Sequence, residues 1–130
     1  MRISIGIVII SRTTNKILLV ERNDYNKYWS MITGGFEKND LTHLNTIKRE
    51  MYEELELDYN LVNIKRGSIE FLKDKNMIFK WYIGLVDYEF DPILCNENLS
   101  YGWFDINEVP NNLYPNLMDK LQQSFKKIYK

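Results

Sequence analysis

The chain has 130 residues, a hydrophobic fraction of 45% and a formal net charge of −1. That length supports one domain with a sizeable core, spanning residues 1–130, and the near-neutral balance argues against nucleic-acid binding by charge alone. No apolar run approaches a membrane span, and the single cysteine, Cys95, excludes an internal disulfide, so a reducing cytoplasm is the expected compartment and Cys95 reads as a small buried hydrophobe.

Residues 2–10 are rich in β-branched side chains and read as a first, buried strand. They do not read as a signal-peptide core, because no small-residue cleavage site follows. The turn-rich stretch Ser11-Arg12-Thr13-Thr14-Asn15 returns the chain into a second strand, Lys16–Glu21. A polar loop follows over Arg22–Tyr28, then a short extended piece, Trp29–Thr33, which Gly34-Gly35 ends. Leu44, Ile47, Met51 and Leu55 mark one face of a helix whose start Asp40 or Thr42 could cap. Val62–Leu72 and Met77–Phe90 form two strands around the turn Lys73-Asp74-Lys75-Asn76, and Leu99–Phe104 is a further strand. Leu117, Leu121, Phe125 and Ile128, with Met118 beside them, mark a closing amphipathic helix. Strands, helix, strands, helix is an α+β order.

The chemistry concentrates in Arg49-Glu50-Met51-Tyr52-Glu53-Glu54-Leu55. Glu50, Glu53 and Glu54 stand at i, i+3 and i+4 and converge on a helix surface. On a helical wheel zeroed at Glu50, the apolar positions fall at roughly 60–140° and the acids at roughly −60 to +40°, so one face packs while its neighbour presents carboxylates. Three adjacent negative charges repel one another, and Mg²⁺ or Mn²⁺, which prefer oxygen ligands, would remove that penalty. A solvated acidic face with Lys48 and Arg49 as counter-ions is the alternative that the triplet alone leaves open.

Together with Gly34-Gly35 upstream, these residues resemble the signature of the Nudix hydrolases, G-x5-E-x7-R-E-U-x-E-E-x-G-U with U a bulky apolar residue. Arg49, Glu50, Met51, Glu53, Glu54 and Leu57 match it, whereas Glu56 stands at the second glycine. The first glutamate is replaced: counted from Gly35 its position is Leu41, and counted from Gly34 it is Asp40, with one extra residue before Arg49. The second register is favoured, with Asp40 expected to reach Arg49 or to cap the helix, a cap loss costing about 1 kcal/mol.

The resemblance implies a mixed β-sheet sandwiched between helices (α/β/α), with a loop–helix–loop metal site. It implies metal-dependent hydrolysis of a pyrophosphate linkage with Mg²⁺ or Mn²⁺. Glu53 and Glu54 would then be central metal ligands, and Glu50 a further ligand or a base. Arg49 would bridge to a carboxylate of the signature, while Gly34 and Gly35 would make a tight turn and let backbone approach the site. Glu97, ahead of Tyr101-Gly102-Trp103-Phe104, matches a late glutamate of the family that ligates metal or activates water, and Trp103 reads as a core aromatic.

Trp29-Ser30-Met31-Ile32-Thr33-Gly34 and Glu97–Trp103 are similar to the dihydroneopterin triphosphate pyrophosphatases of that family, which also act on deoxynucleoside triphosphates. A nucleoside or pterin triphosphate is therefore the expected substrate. Arg22 is a candidate phosphate contact, Trp29 with Tyr25 and Tyr28 a candidate stacking surface, and Asn23 or Asn26 a candidate reader of the base edge; plain loop packing is the alternative for each. His43 is read as a surface residue. A Nudix enzyme acting on a nucleotide sugar, ADP-ribose or a capped RNA end is a second reading, and a non-catalytic Nudix-like binding module a third, which the presence of Glu53 and Glu54 disfavours. Neither a membrane nor a nucleic-acid partner is expected, and a homodimer is compatible with the sequence.

Overall fold

The first strand decides the architecture. β1 (Arg2–Ser11) buries Ile5, Ile7 and Ile9 on one face and Val8 and Ile10 on the other. A strand apolar on both faces has to be covered on both. The computed structural model describes residues 1–129, and in it each face of the sheet carries one helix. The remaining elements are β2 (Ile17–Arg22), β3 (Trp29–Ser30), β4 (Ile32–Gly35), α1 (His43–Leu55), β5 (Asn63–Leu72), β6 (Met77–Val86), β7 (Asn98–Phe104) and α2 (Leu117–Ile128). Ile47, Met51 and Leu55 of α1 join Ile5, Ile7 and Ile9. Leu117 and Leu121 of α2 join Val8, Ile10, Trp81 and Ile83. This is the α/β/α sandwich that the family resemblance implies.

The sheet is mixed. β1 runs parallel to β6 from Arg2↔Met77 to Ser11↔Val86, and the other ladders are antiparallel. β2 touches β1 only at Ile9↔Leu18 and Ile10↔Ile17, then leaves it. The segment 29–35 fills the fork: β3 pairs with Val20 and Glu21 of β2, and β4 pairs with Ser4–Ile7 of β1. β7 lies along the other side of β2, and β5 forms the far edge beside β6.

Several local expectations are corrected. Gly34 and Gly35 do not make a tight turn; they are the last residues of β4, paired with Ile5 and Ser4, and no glycine has a positive φ. β6 ends at Val86 rather than Phe90, which instead packs edge-on against Trp103 and accepts a 3.0 Å hydrogen bond from its indole N–H. Leu44, in the first turn of α1, is exposed, and Cys95 is half-buried. Glu56 follows α1 at φ 53°, the left-handed region that favours glycine, which accounts for a glycine at this place in the signature. Among the described residues no helix is long and apolar enough to cross a membrane.

Candidate functional site

The loop from β4 to α1 is organised by one buried carboxylate. Asp40 ends a short 3-10 turn, Lys38–Asp40, and is buried. Its Oδ1 accepts from Arg49 Nε at 2.8 Å; its Oδ2 accepts from Arg49 Nη2, the Glu37 N–H and the Thr46 hydroxyl, each at 2.9 Å. The paired Arg49 guanidinium, joined by these other donors, holds the Asp40 carboxyl well below the usual carboxylate range. α1 is capped by Thr42, whose hydroxyl accepts from the Asn45 N–H at 3.1 Å, and not by Asp40.

Asp40 therefore carries more than a cap. Asp40→Ala is expected to cost about 3 kcal/mol, because it removes a buried carboxylate that accepts from Arg49, the Glu37 N–H and the Thr46 hydroxyl and leaves Arg49 Nε without its acceptor; the 1 kcal/mol expected for a cap is too small. The sign with pH follows from the depressed folded-state pKa. The stabilisation is fully present above the unfolded value of about 3.9 and is lost as pH falls through the folded one. In thermal melts, the gap between wild type and Asp40→Asn should be open at pH 7 and close progressively below about pH 4. A gap independent of pH would contradict this assignment.

Arg49 gathers the neighbouring acids. Its Nη1 lies 2.8 Å from Glu50 Oε1 and 3.3 Å from Glu53 Oε2, and its Nη2 donates to the Gly35 carbonyl at 3.1 Å. Glu37 adds a 3.5 Å ion pair. Gly34 is needed for this packing, since a Cβ there would collide with the Glu50 carboxyl, whereas a Cβ on Gly35 would meet open space.

A different group surrounds Glu54. This residue is buried in the last turn of α1. Its Oε1 accepts from Asn98 Nδ2 at 3.0 Å, and its Oε2 is buried without a hydrogen-bond partner. Burial pushes the Glu54 carboxyl up; the Asn98 bond opposes this, and the charges of Glu50 and Glu97 push it further. Burial likewise raises Glu50, against the pull of Arg49.

Glu54, Glu97 and Asn98 line a cavity of about 300 Å³ together with Val20, Arg22 and Thr33. It lies at the fork of the sheet: β2 contributes Val20 and Arg22, β4 contributes Thr33, and the pairing of Arg22 with Asn98 brings the start of β7 alongside. Glu97 precedes β7, where its carbonyl accepts from the Asn23 N–H at 2.8 Å and Asn23 Nδ2 donates to the Asn96 carbonyl at 3.1 Å. Asn23 thus clamps the Glu97 loop by its backbone.

Of the acids named from the sequence, Glu53 and Glu50 lie on Arg49 and Glu54 and Glu97 on the cavity, and Glu50 links the two sets because its carboxyl also lies against that of Glu54. Among the described residues no three His, Cys, Asp or Glu side chains are gathered around one point as a ready metal cluster. The unpaired buried Oε2 of Glu54, flanked by further negative charge, nonetheless fits a hard cation, which would satisfy that oxygen and offset the repulsion.

Arg22 lines the cavity, bonds Asp24 at 2.8 Å and lies over the Tyr114 ring at 5.7 Å. Trp29, expected at the substrate, lines no part of this cavity. Its strand position turns the ring onto Phe104, edge-on at 5.3 Å. Tyr25 is exposed, and Tyr28 packs edge-on against Tyr114. His43 is half-buried against Phe36, rather than on the surface, and burial lowers its pKa. Sequence reasoning missed Asn98 and Thr46. The only available signal for Asn98 was its place beside Glu97, and Thr46 carried none.

Comparison with known proteins places this geometry in context. The NUDIX domain family model matches residues 1–126. Dihydroneopterin triphosphate diphosphatase of Haemophilus influenzae is 30% identical over 115 residues, covering 77% of this chain and 72% of that one. The Escherichia coli K12 protein of the same name is 25% identical over 119 residues, covering 79% and 77%. The structure of the E. coli dihydroneopterin triphosphate pyrophosphohydrolase superposes with a TM-score of 0.78 at 18% identity over 98% of this chain and 94% of that one. A Caenorhabditis elegans Ap4A hydrolase in a binary complex gives 0.84 at 15% identity over 97% and 98%. At these identities the two structures speak to the fold alone.

Proposed function

Because the chain belongs to the Nudix family and is a pyrophosphohydrolase, we propose that it is a divalent-cation-dependent enzyme that cleaves the diphosphate linkage of a nucleoside or pterin triphosphate. The observation that carries the cation requirement is the buried, unpartnered Oε2 of Glu54 beside Glu97. The names of the H. influenzae and E. coli relatives support the triphosphate.

A diphosphate is anionic and resists attack by water. A bound divalent cation neutralises phosphoryl oxygens and makes a coordinated water more acidic. Glu54, Glu97, Glu50 and Glu53 would hold it, as Mg²⁺ or Mn²⁺. Glu53, more than half exposed and 3.3 Å from Arg49, is free to turn toward the cavity. Arg49, locked by Asp40 and the Gly35 carbonyl, holds Glu50 in place. Arg22 offers its guanidinium to the phosphates. Glu97 accepts the proton of the attacking water at its carboxylate while Asn23 holds its backbone.

The test is a product-release screen over nucleoside triphosphates, a pterin triphosphate, nucleotide sugars and dinucleoside polyphosphates, with Mg²⁺, with Mn²⁺ and in excess chelator. Pyrophosphate release from triphosphates, abolished by chelator and restored by cation, is the expected result. Full turnover in chelator, or turnover confined to the other substrates, would overturn the proposal.

A further inference from the structure

A second cavity, of about 360 Å³, opens on the α2 face of the sheet between the β5–β6 hairpin and the start of α2. It shares Arg22, Met31 and Thr33 with the Glu54 cavity, so the two adjoin at the fork. On its wall stands an ion pair that the proposed reaction does not use: Lys120 Nζ lies 2.8 Å from Glu70 Oε1. Lys120 is only 7% exposed and sits 5.5 Å from the centre of the Phe79 ring. A buried ammonium is costly to desolvate, and an apolar side chain at such a place commonly serves stability as well or better. The register explains how the pair meets, since Glu70 is paired with Phe79 on the sheet face that α2 covers.

The pair has hydrogen-bonding capacity to spare. An ammonium carries three donors and a carboxylate accepts at two oxygens. Among the described residues, the ion pair with each other is the one salt bridge that the two charged groups make. Both residues line the cavity, so a donor and acceptors stand side by side on its wall. Resting on the triphosphate reading above, we infer that Glu70 and Lys120 read the 2-amino-4-oxopyrimidine edge common to guanine and pterin rings.

On that edge a carbonyl oxygen is followed by a ring N–H and an exocyclic amine. Lys120 donates to the oxygen, and the Glu70 carboxylate accepts from both nitrogens. Adenine and cytosine set a ring-nitrogen lone pair against the carboxylate, which is repulsive. Uracil satisfies the ammonium and one carboxylate oxygen but sets its second carbonyl against the other. Hypoxanthine keeps the carbonyl and ring N–H and lacks the amine, so it is the sharpest probe. Met31 and Phe79 supply apolar surface for the ring, and the phosphates extend past Thr33 toward Glu54.

The test compares kcat/KM for GTP, ITP and ATP and for dihydroneopterin triphosphate in the wild type, Glu70→Gln and Lys120→Met, with thermal melts of each. Binding of the monophosphates GMP, IMP and AMP is measured in parallel, since it needs no turnover. Wild type should prefer guanine over adenine by about 10- to 100-fold, the range expected for hydrogen bonds to charged groups, with inosine between. Glu70→Gln should erase most of the GTP-over-ITP preference, and Lys120→Met most of the preference for a carbonyl at that position. The ratio of dihydroneopterin triphosphate to GTP then tells which ring source the edge serves. Guanine and adenine triphosphates turned over equally by wild type would overturn the inference and leave the hydrolase reading standing. Preferential GMP binding with no triphosphate turned over would do the reverse. Variants that melt earlier but keep the wild-type base preference would assign the pair to holding β5 on α2, and would also overturn it.

Discussion

Glu54→Gln is expected to abolish turnover while the protein remains folded. Losing the ligand that the cation needs should lower the rate on the order of a thousandfold or more, the scale seen when a group that stabilises transition-state charge is removed. Stability should move the other way in the absence of cation. Burial already disfavours the charged form of Glu54, and Glu50 and Glu97 repel it. A glutamine keeps an acceptor for Asn98 Nδ2, cannot ionise and turns the unpaired oxygen into a donor among acids. Melts in chelator should show Glu54→Gln at or above the wild-type temperature, and added Mn²⁺ should stabilise the wild type more than the variant. Glu53→Gln should lose activity with little change in melting, because its carboxylate is more than half exposed. Wild-type rates in Glu54→Gln, or loss of its cooperative transition, would contradict the assignment.

Glu97→Gln is expected to lower kcat by about 10²- to 10⁴-fold, the range for a positioned acid or base, and to change KM far less. Its loop is held through the Glu97 carbonyl and Asn23, and neither contact involves the carboxylate, so the melting temperature should hold. A raised KM with kcat unchanged would make Glu97 a substrate-binding group instead.

The helical half of the site was legible because its geometry is local. Spacings of three and four residues put Glu50, Glu53, Glu54 and Arg49 on neighbouring faces of α1 whatever surrounds it, and the same periodicity identified Ile47, Met51 and Leu55 as core. The Asp40 register was legible for a related reason, since one acid near the start of a helix can reach an arginine two turns on. What could not be read depends on the sheet. Gly34 and Gly35 pair in β4 because β2 leaves β1 after Leu18, a divergence with no sequence marker. Trp29 sits on the face toward Phe104, and one residue of register decides that. Asn98 meets Glu54 only because β7 lies beside β2, and Glu70 meets Lys120 only because α2 crosses the β5 edge. Contacts between elements far apart in the chain leave no periodic trace.

The claim most exposed to a single measurement is that the buried Glu54 of α1 anchors a cation site completed by the acids around it. A crystal soaked in Mn²⁺ with a non-hydrolysable triphosphate answers it through anomalous scattering. The account predicts manganese in contact with the Glu54 carboxylate and with at least one of Glu50, Glu53 and Glu97, next to the phosphates. Manganese bound elsewhere, or phosphates seated away from Glu54 with that carboxylate still unpaired, would contradict it.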